Sequence, residues 1–271
     1  MKTDFVLHSE DCVLGMSRLA ASSIDLVVTS PPYNLGIKYR KYSDISDRAS
    51  YLNWCEEWGK QIRRVLKPDG SFFLNVGSAP SNPMLPHELV LRLRTLFHLQ
   101  NTIHWIKAIT IEDEDGIPIS RGHFKPISSP RFLNDCHEYV FHLTPNGTTL
   151  IDRLALGVPY ADKSNIRRWS HTRGADLRCR GNTWFVPYPT IQRRAKERPH
   201  PATFPIELAV NCIKLHGAKH AKSMLDPFLG IGNSAVAAQR CEVKRFIGFE
   251  IDEEYLAEAE RRLRARKGVS E

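Results

Sequence analysis

Several features that would place this chain in other protein classes are missing from its sequence. Its six cysteines are widely scattered and form no Cys-x-x-Cys pair, which argues against a zinc knuckle and a disulfide framework. No hydrophobic run is long enough to cross a bilayer, and the amino terminus lacks the apolar segment of a secretory signal. Internal repeats and low-complexity segments are also missing. We therefore expect a cytoplasmic protein with reduced thiols and no membrane contact.

The composition instead favours a globular protein with a basic surface. A length of 271 residues and a hydrophobic content of 42% fit one sizeable α/β domain with an insertion. The net charge is +8, and residues 161–200 carry most of it, with ten Lys or Arg against three acids. Such a basic stretch suits a polyanion such as nucleic acid, and a solvated basic surface is the alternative.

A short apolar stretch near the amino terminus ends in a rigid segment. Residues Ile24–Thr29 have the composition of a buried parallel strand, and Ser-Pro-Pro-Tyr at positions 30–33 follows at once. Each proline locks the backbone and removes an N–H donor, so the strand must stop there. A hydroxyl, carbonyl groups and an aromatic ring are thereby predicted at the carboxyl edge of the sheet, where open α/β sheets bind ligands. A proline-terminated strand with a surface tyrosine is the alternative.

A glycine-rich turn lies near the other end of the chain. Residues 223–234 predict a strand, a turn with two glycines, and the start of a helix that Asn233 or Ser234 would cap. The next predicted strand ends at Glu250, whose carboxylate could accept both hydroxyls of a ribose. A dinucleotide site is the competing interpretation, but Ala235 stands where its third glycine is expected.

Together these segments resemble the amino-methyltransferases, which methylate exocyclic nitrogens of DNA bases. Ser-Pro-Pro-Tyr is more typical of cytosine-N4 enzymes, and Asp-Pro-Pro-Tyr of adenine-N6 enzymes. Asp-Pro-Phe-x-Gly-x-Gly at 226–232, followed by Gly-Phe-Glu-Ile-Asp at 248–252, resembles the S-adenosylmethionine site of the same family. The catalytic motif precedes the cofactor motif, which is the permuted order of the family's beta group.

A third motif agrees with this resemblance. His-Pro-x-x-x-Pro at 200–205 lies just ahead of the cofactor strand, and in the family it helps to hold the methionine end of the cofactor. Phe204 replaces the lysine that often occupies its fifth position, which favours the cytosine-N4 branch. Without the resemblance, His200 would be interpreted as an ordinary loop histidine.

The resemblance implies an S-adenosylmethionine-dependent methyltransferase fold of the α/β class, with a mostly parallel Rossmann-like sheet, helices on both faces and circularly permuted motifs. Residues 1–109 would form the catalytic half, 110–199 a target-recognition insertion with a core strand within 137–143, and 200–271 the cofactor-binding half. Asp11 precedes a predicted helix, where an aspartate is also a common N-cap. The cofactor-binding residues implied by the family pattern are Asp11, Thr29, His200, Thr203, Asp226, Phe228, Gly230, Gly232, Asn233, Ser234 and Glu250.

The rigid motif would act on a target amine mainly by positioning it. Hydrogen bonds from the amine to the Ser30 side chain and the Pro31 carbonyl would favour a tetrahedral nitrogen whose lone pair faces the sulfonium methyl group. Tyr33 would stack on the base, which must be flipped out of the duplex. The predicted catalytic residues are Ser30, Pro31, Pro32 and Tyr33.

The sequence thus predicts a site-specific DNA methyltransferase that acts on the N4 of cytosine. Adenine-N6 methylation is the alternative within the class, and RNA or protein-amide methylation by the same fold is a further one. Double-stranded DNA is the expected partner, with a nucleoid-associated location in a prokaryote. A cognate restriction endonuclease and a homodimer stay open as partners, and no metal is needed.

The rest of the chain alternates between helical and strand patterns. A polar, tyrosine-rich loop at 34–50 is expected over the active site. After it the sequence predicts a helix over 51–66, a turn at 67–70 and a strand over 71–76. A second helix is expected over 87–97 and another strand over 101–108.

Overall fold

Strands and helices alternate along most of the chain, as the sequence predicts. The computed structural model describes residues 3–107, 109–112, 118–121, 128–133, 135–187 and 202–265. The strands are β1 (Asp4–Ser9), β2 (Ile24–Thr29), β3 (Leu66–Val76), β4 (His98–Ile106), β5 (Ile109–Glu112), β6 (Pro118–Arg121), β7 (His137–Thr144), β8 (Thr183–Phe185), β9 (Ser223–Asp226) and β10 (Arg245–Glu250). The helices are α1 (Cys12–Ser17), α2 (Arg48–Val65), α3 (Leu85–Leu93), α4 (Ser164–Arg168), α5 (Ile206–His216), α6 (Asn233–Arg240) and α7 (Glu253–Ala265).

The centre of the molecule is an eight-stranded sheet in the order β1-β10-β9-β2-β3-β7-β4-β8. Neighbouring strands are parallel except at β7, which runs antiparallel to both β3 and β4. This arrangement confirms the predicted mostly parallel sheet. From the β9–β2 pair the chain continues to β10 on one side and to β3 on the other. Such a reversal of strand order opens a crevice at the carboxyl ends of the two strands.

Helices cover both faces of the sheet, as predicted. The helices α1, α2 and α3 bury their apolar sides with Val27, Phe72 and Leu225 on one face. The helices α5, α6 and α7 pack on the other face with Leu26 and Phe73. Successive residues of a strand point to opposite faces, so a strand covered on both sides is apolar throughout. This explains the unbroken apolar composition of β2.

The segment at 67–70 is not the free turn that its Lys-Pro-Asp-Gly sequence predicts. It belongs to β3, which begins at Leu66 and runs to Val76. The register against β2 shifts here, because Ile24 pairs with Leu66 whereas Leu26 already pairs with Ser71. The extra residues are therefore accommodated as an irregularity within a paired strand.

In its described residues, the predicted insertion at 110–199 contributes two strands to the main sheet. One is β7, as expected from residues 137–143, and it extends one residue further to Thr144. The other is β8, which pairs in parallel with β4 at the edge and was not predicted. The short strands β5 and β6 form a separate antiparallel pair. The predicted strand over 101–108 is β4, which begins at His98 and ends at Ile106.

Two buried histidines meet at one serine in the core. His142 Nε2 and His216 Nδ1 each lie 3.0 Å from Ser71 Oγ. Asn101 Nδ2 lies 3.0 Å from the other ring nitrogen of His142. Burial, together with a smaller effect of the neighbouring His216, lowers the pKa of His142 from 6.5 to about 3. The native state therefore requires a neutral His142.

Acidification should accordingly lower the free energy of unfolding through His142. The native pKa lies below the unfolded value, so the unfolded state binds more protons below pH 6.5 and the stability is complete only above it. We expect a loss of about 1 kcal/mol from this residue between pH 6 and pH 5, measured by urea unfolding. The variant His142→Gln should show a correspondingly smaller pH slope, and an unchanged slope would contradict this origin.

Candidate active site

The predicted catalytic and cofactor motifs, remote in sequence, are neighbours in the sheet. Leu26 of β2 pairs with Met224 of β9, and Val27 pairs with Leu225. At the carboxyl ends of these strands, Thr29 Oγ1 donates a hydrogen bond of 2.5 Å to Asp226 Oδ1. The Ser-Pro-Pro-Tyr segment and the glycine turn therefore begin side by side at the crevice described above.

Asp226, at the end of β9, stabilises the glycine turn through hydrogen bonds. Its carboxylate accepts hydrogen bonds from the Phe228 backbone N–H at 3.0 Å and from the Ser234 hydroxyl. Complete burial raises the pKa of Asp226 to about 6, although the Ser234 and Thr29 hydroxyls oppose that shift. Two glycines in the turn have positive φ, 54° at Gly230 and 80° at Gly232. Their conformation is the left-handed one that glycine tolerates best.

The N-cap of α6 differs from the one that the sequence predicts. The N-cap is Gly232, with no side-chain cap hydrogen bond, instead of Asn233 or Ser234. Asn233 bonds elsewhere, because its Nδ2 donates to the Phe204 carbonyl at 2.6 Å and its Oδ1 accepts from Arg262 Nη1 at 2.7 Å. The first turn of α6 therefore keeps backbone donors for a ligand in the crevice.

Glu250 holds the turn from the next strand. Its Oε2 accepts from the Gly230 N–H at 2.8 Å, and its Oε1 accepts from the Asp252 N–H at 2.9 Å. Burial raises the pKa of this carboxyl, and the two N–H groups oppose the shift. A carboxylate at the end of β10, a glycine turn and an uncapped helix form a donor and acceptor set that fits a nucleoside-containing cofactor. Contact with ribose stays a prediction.

Asp11 is the N-cap of α1, which is the alternative role that the sequence allowed for it. Its Oδ1 accepts from Val13 N at 2.9 Å and from Leu14 N at 3.0 Å, at the start of α1. The preceding strand β1 lies beside β10, and the Glu10 N–H donates to the Glu250 carbonyl at 3.1 Å. Asp11 thus lies at the same edge of the sheet as Glu250. Its contact with the adenine amino group stays a prediction.

The His-Pro motif is only partly described. His200 lies outside the described residues, so its predicted role keeps the status of an expectation. Thr203 is half-buried, and Phe204 is buried with its carbonyl bonded to Asn233. This contact joins the segment to the first residue of α6, beside the glycine turn. The described part of the motif thus adjoins the cofactor segment.

Hydroxyl groups of the Ser-Pro-Pro-Tyr segment and of α2 hold this segment in place. Ser30 Oγ lies 2.6 Å from the Tyr33 hydroxyl, and the Tyr51 hydroxyl of α2 donates to the Pro32 carbonyl at 2.9 Å. Ser30 is half-buried and Pro31 is buried. Only 8% of Tyr33 is exposed, and its hydroxyl points inward. Stacking of its ring on a target base stays a prediction.

Two polar residues at this site were missed by sequence reasoning. Asn75 Nδ2 donates to the Tyr33 hydroxyl at 2.8 Å and to Glu138 Oε2 at 2.7 Å. Asn75 interrupts the apolar run at 72–76 that ends β3, and that interruption was a usable signal. Glu138 comes from the start of the antiparallel β7, so only the strand order brings it to the same edge.

The loop after the motif is organised by one buried carboxylate. Asp44, 2% exposed, accepts hydrogen bonds from the backbone N–H groups of Asn34 at 2.8 Å, Leu35 at 3.1 Å and Ile37 at 3.0 Å. Arg40 of the same loop lies 3.5 Å from Asp252, just before α7. The loop therefore contacts the predicted cofactor-binding half of the chain. It ends earlier than expected, because α2 begins at 48.

The basic segment is described in part. Its exposed arginines lie in α4 and between α4 and β8, and β8 is the edge strand at the end of the sheet opposite β1. Lys163 pairs with Asp176 at 2.5 Å, which removes one cation from the free surface charge. The exposed arginines are Arg167, Arg168, Arg173, Arg178 and Arg180. The remaining predicted basic residues, Arg193, Arg194, Lys196 and Arg198, lie outside the described residues.

Neither a cluster of metal ligands nor a membrane-spanning helix occurs among the described residues. Across the described ranges, no group of three or more His, Cys, Asp or Glu side chains is arranged to hold a metal ion. The same part of the chain contains no helix with the length and apolarity required to traverse a bilayer. All six cysteines are thiols that take part in no disulfide bond.

Sequence comparison finds DNA methylases over nearly the whole chain. A family model for N6/N4 methyltransferases, described as DNA methylase, matches residues 24–261. The type II methyltransferase M.ScaI of Streptomyces caespitosus is 28% identical over 281 residues, covering 97% of this chain and 82% of the relative. The DNA adenine methyltransferase YhdJ of Escherichia coli K12 is 26% identical, covering 95% of this chain and 82% of that protein.

Solved structures share the same architecture. The cytosine-N4-specific PvuII DNA methyltransferase superposes with a TM-score of 0.65 at 19% identity, covering 96% of this chain and 86% of the other. TTHA0409 of Thermus thermophilus, solved with S-adenosyl-L-methionine, superposes with a TM-score of 0.62 at 22% identity. That likeness covers 98% of this chain and 96% of the other. At these identities the likeness concerns the fold.

Proposed function

We propose, because this chain belongs to the N6/N4 family of DNA methylases, that it methylates the exocyclic N4 of cytosine at specific DNA sites. Membership makes it an S-adenosylmethionine-dependent enzyme that acts on a base amine of DNA. The choice of cytosine rests on one observation. The residue at position 30, at the carboxyl end of β2 and beside the cofactor turn, is a serine. The first position of the motif is thus a neutral hydroxyl instead of a carboxylate.

The proposed chemistry depends on placement of the amine. Bound S-adenosylmethionine supplies a methyl group on a positively charged sulfur. Ser30 Oγ and the Pro31 carbonyl accept the two amine hydrogens and direct the nitrogen lone pair at that methyl carbon. Methyl transfer would form the C–N bond as the C–S bond breaks, with the electron pair left on sulfur, and the methylated nitrogen would then release its proton to solvent water. Because a stacked base is out of reach, the cytosine is flipped out at a cost of about a few kcal/mol.

The cofactor would be held by residues of the crevice described above. Glu250 would accept the ribose hydroxyls, and the backbone of the turn from Phe228 to Gly232 would pass close to the ligand. The start of α6, which lacks a side-chain cap, would present its N–H groups to the cofactor. Asp226 keeps the turn in shape through its bonds to the Phe228 N–H and to the Thr29 and Ser234 hydroxyls.

The basic residues of the insertion would bind the DNA backbone. Exposed arginines of α4 and of the segment between α4 and β8 can neutralise backbone phosphates and offset the cost of flipping. We place the recognition of the target sequence in residues 110–199. A cognate restriction endonuclease is a further proposed partner, because the relative M.ScaI is named a type II methyltransferase. A homodimer and a location with the nucleoid complete this proposal.

Adenine-N6 methylation is the second candidate, and similarity to the DNA adenine methyltransferase YhdJ favours it. The deciding experiment incubates PCR-made, unmethylated DNA with the protein and S-adenosylmethionine that carries a deuterated methyl group. The DNA is then digested to nucleosides and analysed by mass. Labelled N4-methylcytosine is the expected product. Labelled N6-methyladenine would replace the cytosine assignment with the second candidate, and labelled RNA in a parallel reaction with unlabelled DNA would overturn both.

A further inference from the structure

One carboxylate stands directly beside the proposed amine-binding hydroxyl. The Glu138 side chain is only 11% exposed, and both of its carboxylate oxygens accept hydrogen bonds. Its Oε2 accepts from Asn75 Nδ2 at 2.7 Å and from the Tyr33 hydroxyl at 3.2 Å. Its Oε1 accepts from Lys107 Nζ at 3.1 Å. Lys107 Nζ thus pairs with one oxygen of this largely buried carboxylate, and Asn75 and Tyr33 share the other.

Glu138 determines the direction of the neighbouring hydrogen bonds, because both of its oxygens accept from the groups around it. Carboxylate and carbonyl oxygens accept hydrogen bonds and donate none. The Tyr33 hydroxyl faces two such acceptors, Glu138 Oε2 and the Asn75 carbonyl at 3.1 Å, so its proton goes to one of them. The tyrosine oxygen is left to accept, and the Ser30 hydroxyl 2.6 Å away becomes the donor of that pair.

Ser30 then presents oxygen lone pairs to an incoming amine. Asn75 Nδ2 lies 3.3 Å from Ser30 Oγ, but its two hydrogens have shorter contacts to Tyr33 and Glu138. A hydroxyl whose proton is committed inward can only accept from a ligand. An amine with two hydrogens needs such an acceptor, whereas a donor at this position would compete for the nitrogen lone pair.

We propose that Glu138 is a positioning residue that keeps the Ser30 hydroxyl in the acceptor state for the target amine, acting through Tyr33 and Asn75. The inference rests on the proposed function, since it concerns the same amine. It adds to the motif a carboxylate from β7 that lies 108 residues further along the chain than Ser30.

Replacement of Glu138 by glutamine tests this role with almost no change of shape. A carboxylate serves Lys107 with one oxygen and the Asn75–Tyr33 pair with the other. An amide has a single oxygen, so either Lys107 loses its acceptor or an NH₂ group faces Asn75 and Tyr33. The hydrogen bonds around Ser30 must then rearrange, and the hydroxyl is no longer held as an acceptor.

The experiment measures single-turnover transfer of tritiated methyl groups to DNA by wild type, Glu138→Gln, Tyr33→Phe and the double variant. We expect each single variant to be slower by about 100-fold, with cofactor affinity within about threefold of wild type. The double variant should be no more than about threefold slower than the slower single one, because both changes interrupt the same chain of bonds. Glu56→Gln is the matched control, since Glu56 also pairs with two cations, Lys60 and Arg92, on the outer side of α2.

Each outcome decides between the two proposals. If wild type methylates DNA and Glu138→Gln is as fast, the inference is overturned and the proposed function stands. Multiplying effects in the double variant would also overturn it, because Glu138 would then act independently of Tyr33. If Glu138→Gln fails to fold, Tyr33→Phe decides alone, and a wild-type rate for that variant refutes the inference. If wild type transfers no methyl group to DNA, both proposals fail.

Discussion

The variant Ser30→Ala is expected to transfer methyl groups to DNA about 1,000 times more slowly than wild type. The change removes the side-chain acceptor for the amine and the donor to Tyr33, while the prolines and the tyrosine ring stay in place. Loss of one preorganised polar partner of a reacting group costs about 100- to 1,000-fold in well-studied active sites. The upper end is expected here because the target nitrogen is a poor nucleophile.

Cofactor affinity should change little in this variant. Thr29, and not Ser30, is the residue of β2 that bonds to Asp226 below the glycine turn. Single-turnover kinetics would report the rate and calorimetric titration would report the affinity for S-adenosylmethionine. Ser17→Ala is a suitable control, because it removes an exposed hydroxyl that donates to a backbone carbonyl in α1. A Ser30→Ala enzyme with wild-type rate would refute the assignment of the catalytic motif.

The variant Gly232→Ala should lose most of its affinity for S-adenosylmethionine and about 3 kcal/mol of stability. The residue has a φ of 80°, and a non-glycine residue in that region costs about 1–2 kcal/mol. An added Cβ would lie 2.8 Å from the Ala259 Cβ and 3.3 Å from its Cα. Backbone of α7 cannot move away easily, so overpacking adds about 1–3 kcal/mol.

The displacement would fall on the glycine turn and the first residue of α6, where the ligand donors lie. Gly174→Ala is the matched control, since Gly174 has a φ of 76° but nothing within 4 Å of the added Cβ. It should lose only the backbone part, about 1–2 kcal/mol. Denaturant unfolding and cofactor titration of both variants would separate strain from contact. Equal losses of stability in the two variants would show that the contact with Ala259 has no effect.

Much of the site could be predicted because its chemistry is encoded locally. Two prolines after an apolar run end β2 at Thr29, and the structure has the strand at Ile24–Thr29. Glycines between a strand and a helix predict a turn with positive φ, which Gly230 and Gly232 have. Each of these features depends on the residue itself or its nearest neighbours, so a single sequence suffices.

The errors arose where contacts between distant segments decide the outcome. Asn233 has the side chain of a good N-cap, yet Phe204 and Arg262 occupy its amide. Lys-Pro-Asp-Gly has the composition of a turn, yet pairing with β2 continues on both sides of it. Local propensity is worth only about 1 kcal/mol in each case, less than the tertiary hydrogen bonds and burial that oppose it.

The sequence by itself determined which reactive groups the protein has and in what order: a prolyl motif with its serine, then a glycine turn, then a carboxylate that ends a strand. Only the tertiary structure decided that β2 and β9 are neighbours and that Glu138 and Asn75 join Ser30 and Tyr33. The physical reason is that strand order depends on how all the apolar faces are buried together. A hydrogen bond between residues far apart in sequence exists only once that packing has placed them.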